Sequence, residues 1–143
     1  MRKVILFSLL LLASPLAWDL SAQSGFKVVV HPSNPTSSLS RDQVARLFLK
    51  KTGAWSNGRA VVPVDLVESA PVRSAFSRLV LGKSVAEVKA YWQQQIFSGR
   101  AVPPVEKGSD AQVVRFVADN ELAVGYVSEG AAVGDLKVVR ISN

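Results

Sequence analysis

No cysteine occurs in the 143 residues, and there is one histidine and one methionine. Without thiols there are no disulfides, no lipid-anchor cysteine, no thiol nucleophile and no cysteine-based metal site. The lone imidazole, His31, precedes a proline and reads as a loop residue. No His/Asp/Glu cluster has the spacing of metal ligands. A G-x-S-x-G elbow, a phosphate-binding P-loop and a G-x-G-x-x-G turn are all missing. Asp65 and Glu68 stand three apart, but two carboxylates in a turn are weak evidence for acid–base chemistry. The sequence therefore predicts no enzyme, no metal and no cofactor. It also lacks a basic stripe interleaved with aromatics: "KK" at 50–51 is the one adjacent basic pair beyond the N-terminal segment. Nucleic acid is accordingly not expected as a partner.

Only the first residues carry a long apolar run. "MRK" is a basic start, "VILFSLLLLASPLA" an apolar stretch, and small residues follow. This is the pattern of a secretory signal peptide. The run is short of the ~20 residues that a membrane span needs. Cleavage is expected after Ala22, with Ser24 as the alternative. That divides the chain into residues 1–22, a signal peptide, and residues 23–143, one domain with no later membrane span. A domain of 121 residues is long enough to bury an ordinary core without disulfides. Of the net charge of +6, all but one unit lies beyond residue 22, which suits anionic partners as well as simple solubility.

Hydrophobic periodicity then sets the order of elements. "FKVVV" (Phe26–Val30) is a β-branched run stopped by Pro32 and Pro35, a buried strand. "LSRDQVARLFLKKTG" reads as a helix: Ser40 and Gln43 form a capping box, Val44, Leu47 and Phe48 an apolar face. Lys50 and Lys51 fall in its last turn, where the helix dipole favours cations, and Gly53 closes it. Residues 61–66, "VVPVDL", form a second strand, with Pro63 marking an edge or an irregularity. A helix follows with Val72, Phe76, Leu79 and Val80 facing inward and Gly82 at its end. Ser84 and Glu87 start another, whose buried face is Val88, Tyr91, Trp92 and Ile96. After the Pro-rich "RAVPPVEKG", Ser109 and Gln112 open a fourth helix. Two strands close the chain, "LAVGYV" and "LKVVRI". The order β-α-β-α-α-α-β-β predicts a small three-layer α/β sandwich with a sheet of about four strands. The first two strands, joined through a helix, imply a right-handed parallel crossover.

In such sheets ligands sit beyond the carboxyl ends of strands, near helix N-termini. Three segments would supply that rim: "HPSNPTSS" with Ser33 and Asn34, "DLVESAP" with Asp65, and the turn after Val127. Within "VESAPVR", Ser69 offers a hydroxyl, Ala70 and Val72 lie where backbone N–H groups start a helix, and Arg73 offers a charged fork. Pro71 has no N–H to give. The alternative is plain: Ser69 as a helix cap and Arg73 as a surface or packing residue.

"LSRDQVARLFLKKTGAWSNGRAVVPVDLVESAPVRSAF" resembles the conserved region of phosphate-type substrate-binding proteins of ABC transporters. There a helix ends in an I/L-F-L-G-K-like segment, and a W-x-x-G turn, a strand, a serine-containing turn and a helix follow. "VLGKS…KAYWQQQIFSGRAVPP" and "VVRFVADNELAVGYV" resemble the rest of the module, so the likeness spans roughly residues 26–141. The chain is most similar to short, single-module members. The resemblance implies one lobe of a type 2 periplasmic-binding fold, an exported and periplasmic location, and phosphate or another small anion as ligand. The family's binding turn reads S-G-T-R, against "SAPVR" here; Arg73 is the clean match, and the preceding arginine of the pattern falls at Asp65–Leu66. Full members hold the anion between two lobes, and this chain has the length of about one. A second expectation follows: a ligand-free interaction module that meets an envelope protein, or another copy of itself, through the same fold.

Overall fold

Phe76 and Tyr126, fifty residues apart, stack with ring centroids 3.7 Å apart and planes 5° from parallel. Phe48 and Phe26 meet the Phe76 ring edge-on at 4.8 and 5.3 Å. This aromatic cluster joins a sheet to the helices on one of its faces. The computed structural model describes residues 25–143, so the expected signal peptide lies outside the described residues. The elements are β1 (Phe26–Val30), β2 (Ser38–Ser40), α1 (Arg41–Phe48), β3 (Val62–Leu66), α2 (Pro71–Phe76), α3 (Val85–Phe97), β4 (Val105–Lys107), α4 (Asp110–Ala118), β5 (Ala123–Ser128) and β6 (Lys137–Ser142). A π-helical turn, Ser77–Leu81, continues α2.

The six strands lie in the order β2-β6-β1-β5-β3-β4. β1 is antiparallel to both its neighbours, whereas the β2–β6, β5–β3 and β3–β4 pairs are parallel. It follows that β1 runs against the other five. The expected parallel crossover from the first strand into "VVPVDL" is thus corrected: β1 and β3 are antiparallel, with β5 between them. β2 and β4, the two strands beyond the expected four, are three-residue edge strands. β3 is not at the edge either. The Val62 N–H donates to Leu122 O on the β5 side at 3.0 Å, so the nitrogen of the next residue, Pro63, faces the β4 side, where pairing begins only at Val64. The proline sits where no ladder donor is needed.

Adjacent residues of β5 show why there are three layers. Tyr126 faces α1 and α2 through Phe48 and Phe76. Gly125 faces α4 so closely that an added Cβ would stand 2.7 Å from Val113, 2.8 Å from Val64 and 3.3 Å from Val117. A glycine there lets α4 lie directly on the sheet. With helices on both faces, residues 123–127 are buried without alternation.

The helix starts follow the sequence. Ser40 and Gln43, and Ser84 and Glu87, form complete capping boxes, and Ser109 Oγ accepts from the Gln112 N–H. The ends differ more. α1 stops at Phe48, because Lys50 takes a left-handed conformation (φ 54°). Lys51 N–H then reaches back to Arg46 O at 2.8 Å and Lys50 N–H to Leu47 O at 3.2 Å, a closing pattern usually built on glycine. Gly53 lies beyond it. Leu79, expected inside, is 45% exposed. The π-turn widens the spacing, so the buried series runs Val72, Phe76, then Val80 and Leu81. Ile96 is 53% exposed and Phe97 93%; α3 overhangs the core after Trp92. Tyr91 is half-buried, and its hydroxyl donates to Leu49 O at 2.8 Å.

Candidate functional site

Because β1 is reversed, the carboxyl ends of the other five strands share one edge with its amino end. The loop after β1 therefore emerges at the opposite edge. Ser33 and Asn34 lie there, away from Asp65 and the turn after β3. Their polar groups serve the loop: Ser33 Oγ meets His31 Nδ1 at 2.7 Å, Asn34 Oδ1 accepts from the Thr36 N–H at 2.9 Å, and Asn34 O accepts from Lys137 Nζ. The expected three-part rim thus becomes two-part, made of the turn after β3 and the turn after β5.

The turn after β3 is built from residues 67–70. Val67 N–H donates to Lys107 O at the end of β4, Ala70 N–H to Val67 O and Arg73 N–H to Ala70 O, each at 3.0 Å. Ser69 is exposed at the tip. The N-cap of α2 is Ala70, without a side-chain cap bond, and Pro71 follows it. Ser69 is thus not the cap. Glu68 pairs across the surface with Lys89 of α3 at 3.6 Å.

Beneath this turn lies a feature that periodicity gives no sign of. Arg73 and Asp65 are each 4% exposed. Arg73 Nη1 is 2.6 Å from Asp65 Oδ1 and donates to Leu66 O at 2.5 Å. The Tyr126 hydroxyl donates to the same Asp65 Oδ1, which also accepts the Leu66 N–H at 2.8 Å. Three elements, β3, α2 and β5, are tied at one oxygen atom. Burial pushes the Asp65 carboxyl above its ordinary range, while Arg73, Tyr126 and the Leu66 amide pull the other way. Burial, then the neighbouring Asp65, pushes the Tyr126 hydroxyl well above its usual range, so it stays a donor. Arg73 Nε is buried and has no hydrogen-bond partner. Of the candidate anion residues, Ser69, Ala70, Val72 and Arg73 are brought to one turn, with Val72 and Arg73 inside it. Tyr126 is the member that the sequence reading missed. It lies 61 residues from Asp65, and no local signal links them.

Chemically this knot is a neutralised ion pair, not a nucleophile with a base. Among the described residues, no group of three or more His, Asp or Glu side chains is placed to hold a metal, and no helix is long and apolar enough to cross a membrane.

No protein-family model matches the sequence, and no curated protein matches it. Solved structures do match its fold. An ABC-type phosphate transport receptor from Vibrio cholerae is similar over 82% of this chain and 46% of its own, at 20% identity and a TM-score of 0.65. A Clostridium perfringens protein of the phosphate ABC-transporter type, solved with bound phosphate, is similar over 82% of this chain and 44% of its own, at 20% identity and a TM-score of 0.66. PstS from Borrelia burgdorferi is similar over 83% and 47%, at 13% identity and a TM-score of 0.65. The fold is that of one lobe of a periplasmic-type binding protein. The chain spans less than half the length of these structures.

Proposed function

We propose that this chain is an exported, non-enzymatic binding-protein-like domain for phosphate or a similar small anion, acting as an accessory or sensor beside a transporter. The observation that carries the reading is the shared fold over 82% of the chain with a phosphate transport receptor and with a phosphate-bound structure. The turn at residues 67–73 supplies the contact: Ser69 Oγ at the exposed tip, the start of α2 at Ala70 and Val72, and the charge of Arg73 beneath. Asp65 holds Arg73 in place and offsets much of its pull on an anion, so the affinity belongs in the millimolar rather than the nanomolar range. The first 22 residues serve as the signal peptide that takes the domain across the membrane.

Titration calorimetry of the folded domain with phosphate and with sulfate tests this. Heat is expected with the wild type and none with Ser69→Asp, which puts a negative charge on an exposed tip without touching the core. A folded wild type that gives no heat at millimolar anion overturns the reading.

A second reading is favoured by a different observation. Phe97 and Ile96 protrude at the end of α3, and Val102 and the edge-strand residue Val105 follow in the sequence, all exposed. Exposed apolar groups of this size leading into an edge strand suit contact with another protein or a second copy. In that reading the module has kept the fold and lost the ligand. Sizing of the wild type and of Phe97→Ser distinguishes the two: an assembly that Phe97→Ser dissolves favours the interaction module.

A further inference from the structure

A groove of about 540 Å³ runs between α1 and the turn that ends the π-helical segment. It shares no residue with the turn at 67–73. Its walls carry four cationic side chains, Arg41, Arg46, Lys51 and Lys83, against one carboxylate, Asp42. Its floor is apolar: Leu49, Val80 and Leu81 are buried beneath it. We propose that this groove binds a phosphorylated polyanion, a ligand with two or more phosphate charges.

The backbone on both walls is pinned. On one side, Lys51 N–H and Thr52 N–H both close onto Arg46 O, at 2.8 and 3.1 Å. On the other, Gly82 is left-handed (φ 65°), the Lys83 N–H donates to Ser77 O at 3.2 Å, and the buried Ser77 hydroxyl donates to Lys83 O at 2.7 Å. Tyr91 fixes the floor by donating to Leu49 O. The two lysines thus project from facing, rigid turns, and little backbone entropy remains to be lost when an anion joins them. The guanidinium groups are partly engaged. Arg46 pairs with Asp42 at 2.7 Å, and Arg41 donates to Asn143 Oδ1 at 2.6 Å. Glu87 lies within electrostatic reach of Lys83. These partners reduce the field without cancelling it. Cations crowded around a concavity focus their field on it, whereas the same charges on a convex face are screened singly. One phosphate fills a small part of this volume, so a ligand with several charges gains more by bridging the two walls.

Two sources share this chemistry: a free oligophosphate, and the phosphate-bearing headgroups of an anionic bilayer. The test uses sodium tripolyphosphate for the first and phosphatidylglycerol vesicles, against phosphatidylcholine vesicles, for the second. Amide chemical shifts of the labelled domain are followed during tripolyphosphate addition at low salt, and co-sedimentation is measured with each vesicle. The expected result is saturable shifts at Lys51, Gly82 and Lys83, or binding to phosphatidylglycerol but not phosphatidylcholine. Lys51→Gln with Lys83→Gln should weaken whichever is seen by about tenfold or more. Arg140→Gln, exposed on β6 and outside the groove, should leave it unchanged. Both lysine changes are near the surface, and a circular dichroism melt checks that the fold survives. The proposal is overturned if neither probe binds, if shifts spread evenly over the basic residues, or if the Arg140 variant loses as much as the double lysine variant. Shifts confined to residues 67–73 would overturn it while supporting the anion turn, so the two sites fail separately.

Discussion

Two sets of charges in this domain are arranged in opposite ways. Beneath the turn after β3, Arg73 and Asp65 are shut away from water and meet at 2.6 Å. In the groove beside α1, Arg46 and Asp42 meet at nearly the same distance, 2.7 Å, with most of both side chains in solvent. Equal geometry does not mean equal consequence. The inner pair has lost its hydration and depends on every remaining partner, whereas the outer pair trades protein contacts for water at little cost. One arginine is fixed by its partners inside the fold, and the other exchanges its partner freely with water.

The strongest break in that comparison is Arg73→Ala. It strands the Asp65 carboxylate in the interior, and about 3–5 kcal/mol of stability should be lost. Denaturant unfolding measures it. The same truncation at Arg46 should cost within about 0.5 kcal/mol. Replacing the whole inner pair sharpens the point: Asp65→Leu with Arg73→Met should recover most of the loss. If Arg73→Ala were as mild as Arg46→Ala, the inner pair would not be holding β3, α2 and β5 together.

The next effect isolates packing from charge on the same strand. Gly125→Ala places a methyl against Val113 and Val64 on the α4 face. Overpacking of this kind should cost about 1–3 kcal/mol. One residue on, Tyr126→Phe keeps the stack on Phe76 and removes the hydroxyl, with its hydrogen bond to Asp65 and the long one it accepts from the Leu66 N–H at 3.5 Å. Its cost should be about 1 kcal/mol. A Tyr126→Phe cost larger than that of Gly125→Ala would mean that the polar knot, rather than close packing, sets the position of β5.

These two regions also differ in how far the sequence discloses them. Helix caps are local, and Ser40 with Gln43, Ser84 with Glu87 and Ser109 with Gln112 are legible because each pair is three residues apart. The main strands are legible too, since runs such as Phe26–Val30 are apolar but for Lys27. Strand direction is not local. Nothing within "FKVVV" says that its neighbours run the other way, and that reversal is what sends Ser33 and Asn34 to the far edge. β2 and β4, three residues each, are too short to show a period. Asp65 and Arg73 are visible as a strand end and a helix start, but nothing local says that their side chains meet. Tyr126 completes the knot from 61 residues away, and only the folded sheet brings it there.

The smallest effect compares the two capping boxes, one on each of two helices. At α1 the closing residue is Gln43, which has no charge to lose; at α3 it is Glu87. The backbone bond from Ser84 N–H, at 2.6 Å, followed by the Ser84 side chain, holds the Glu87 carboxyl below its ordinary range. A lowered folded value means that the cap stabilises above the unfolded pKa of about 4.3 and fades as pH falls through the folded value. The fading therefore belongs to acid solution and is absent near neutrality. Glu87→Gln should retain the box, as Gln43 does, and remove only this acid-side loss. Thermal melts of wild type and variant should coincide at neutral pH and separate slightly below pH ~4, with the variant the flatter of the two. Melts that separate at neutral pH instead would show that Glu87 acts through its charge near Lys83 rather than through the cap.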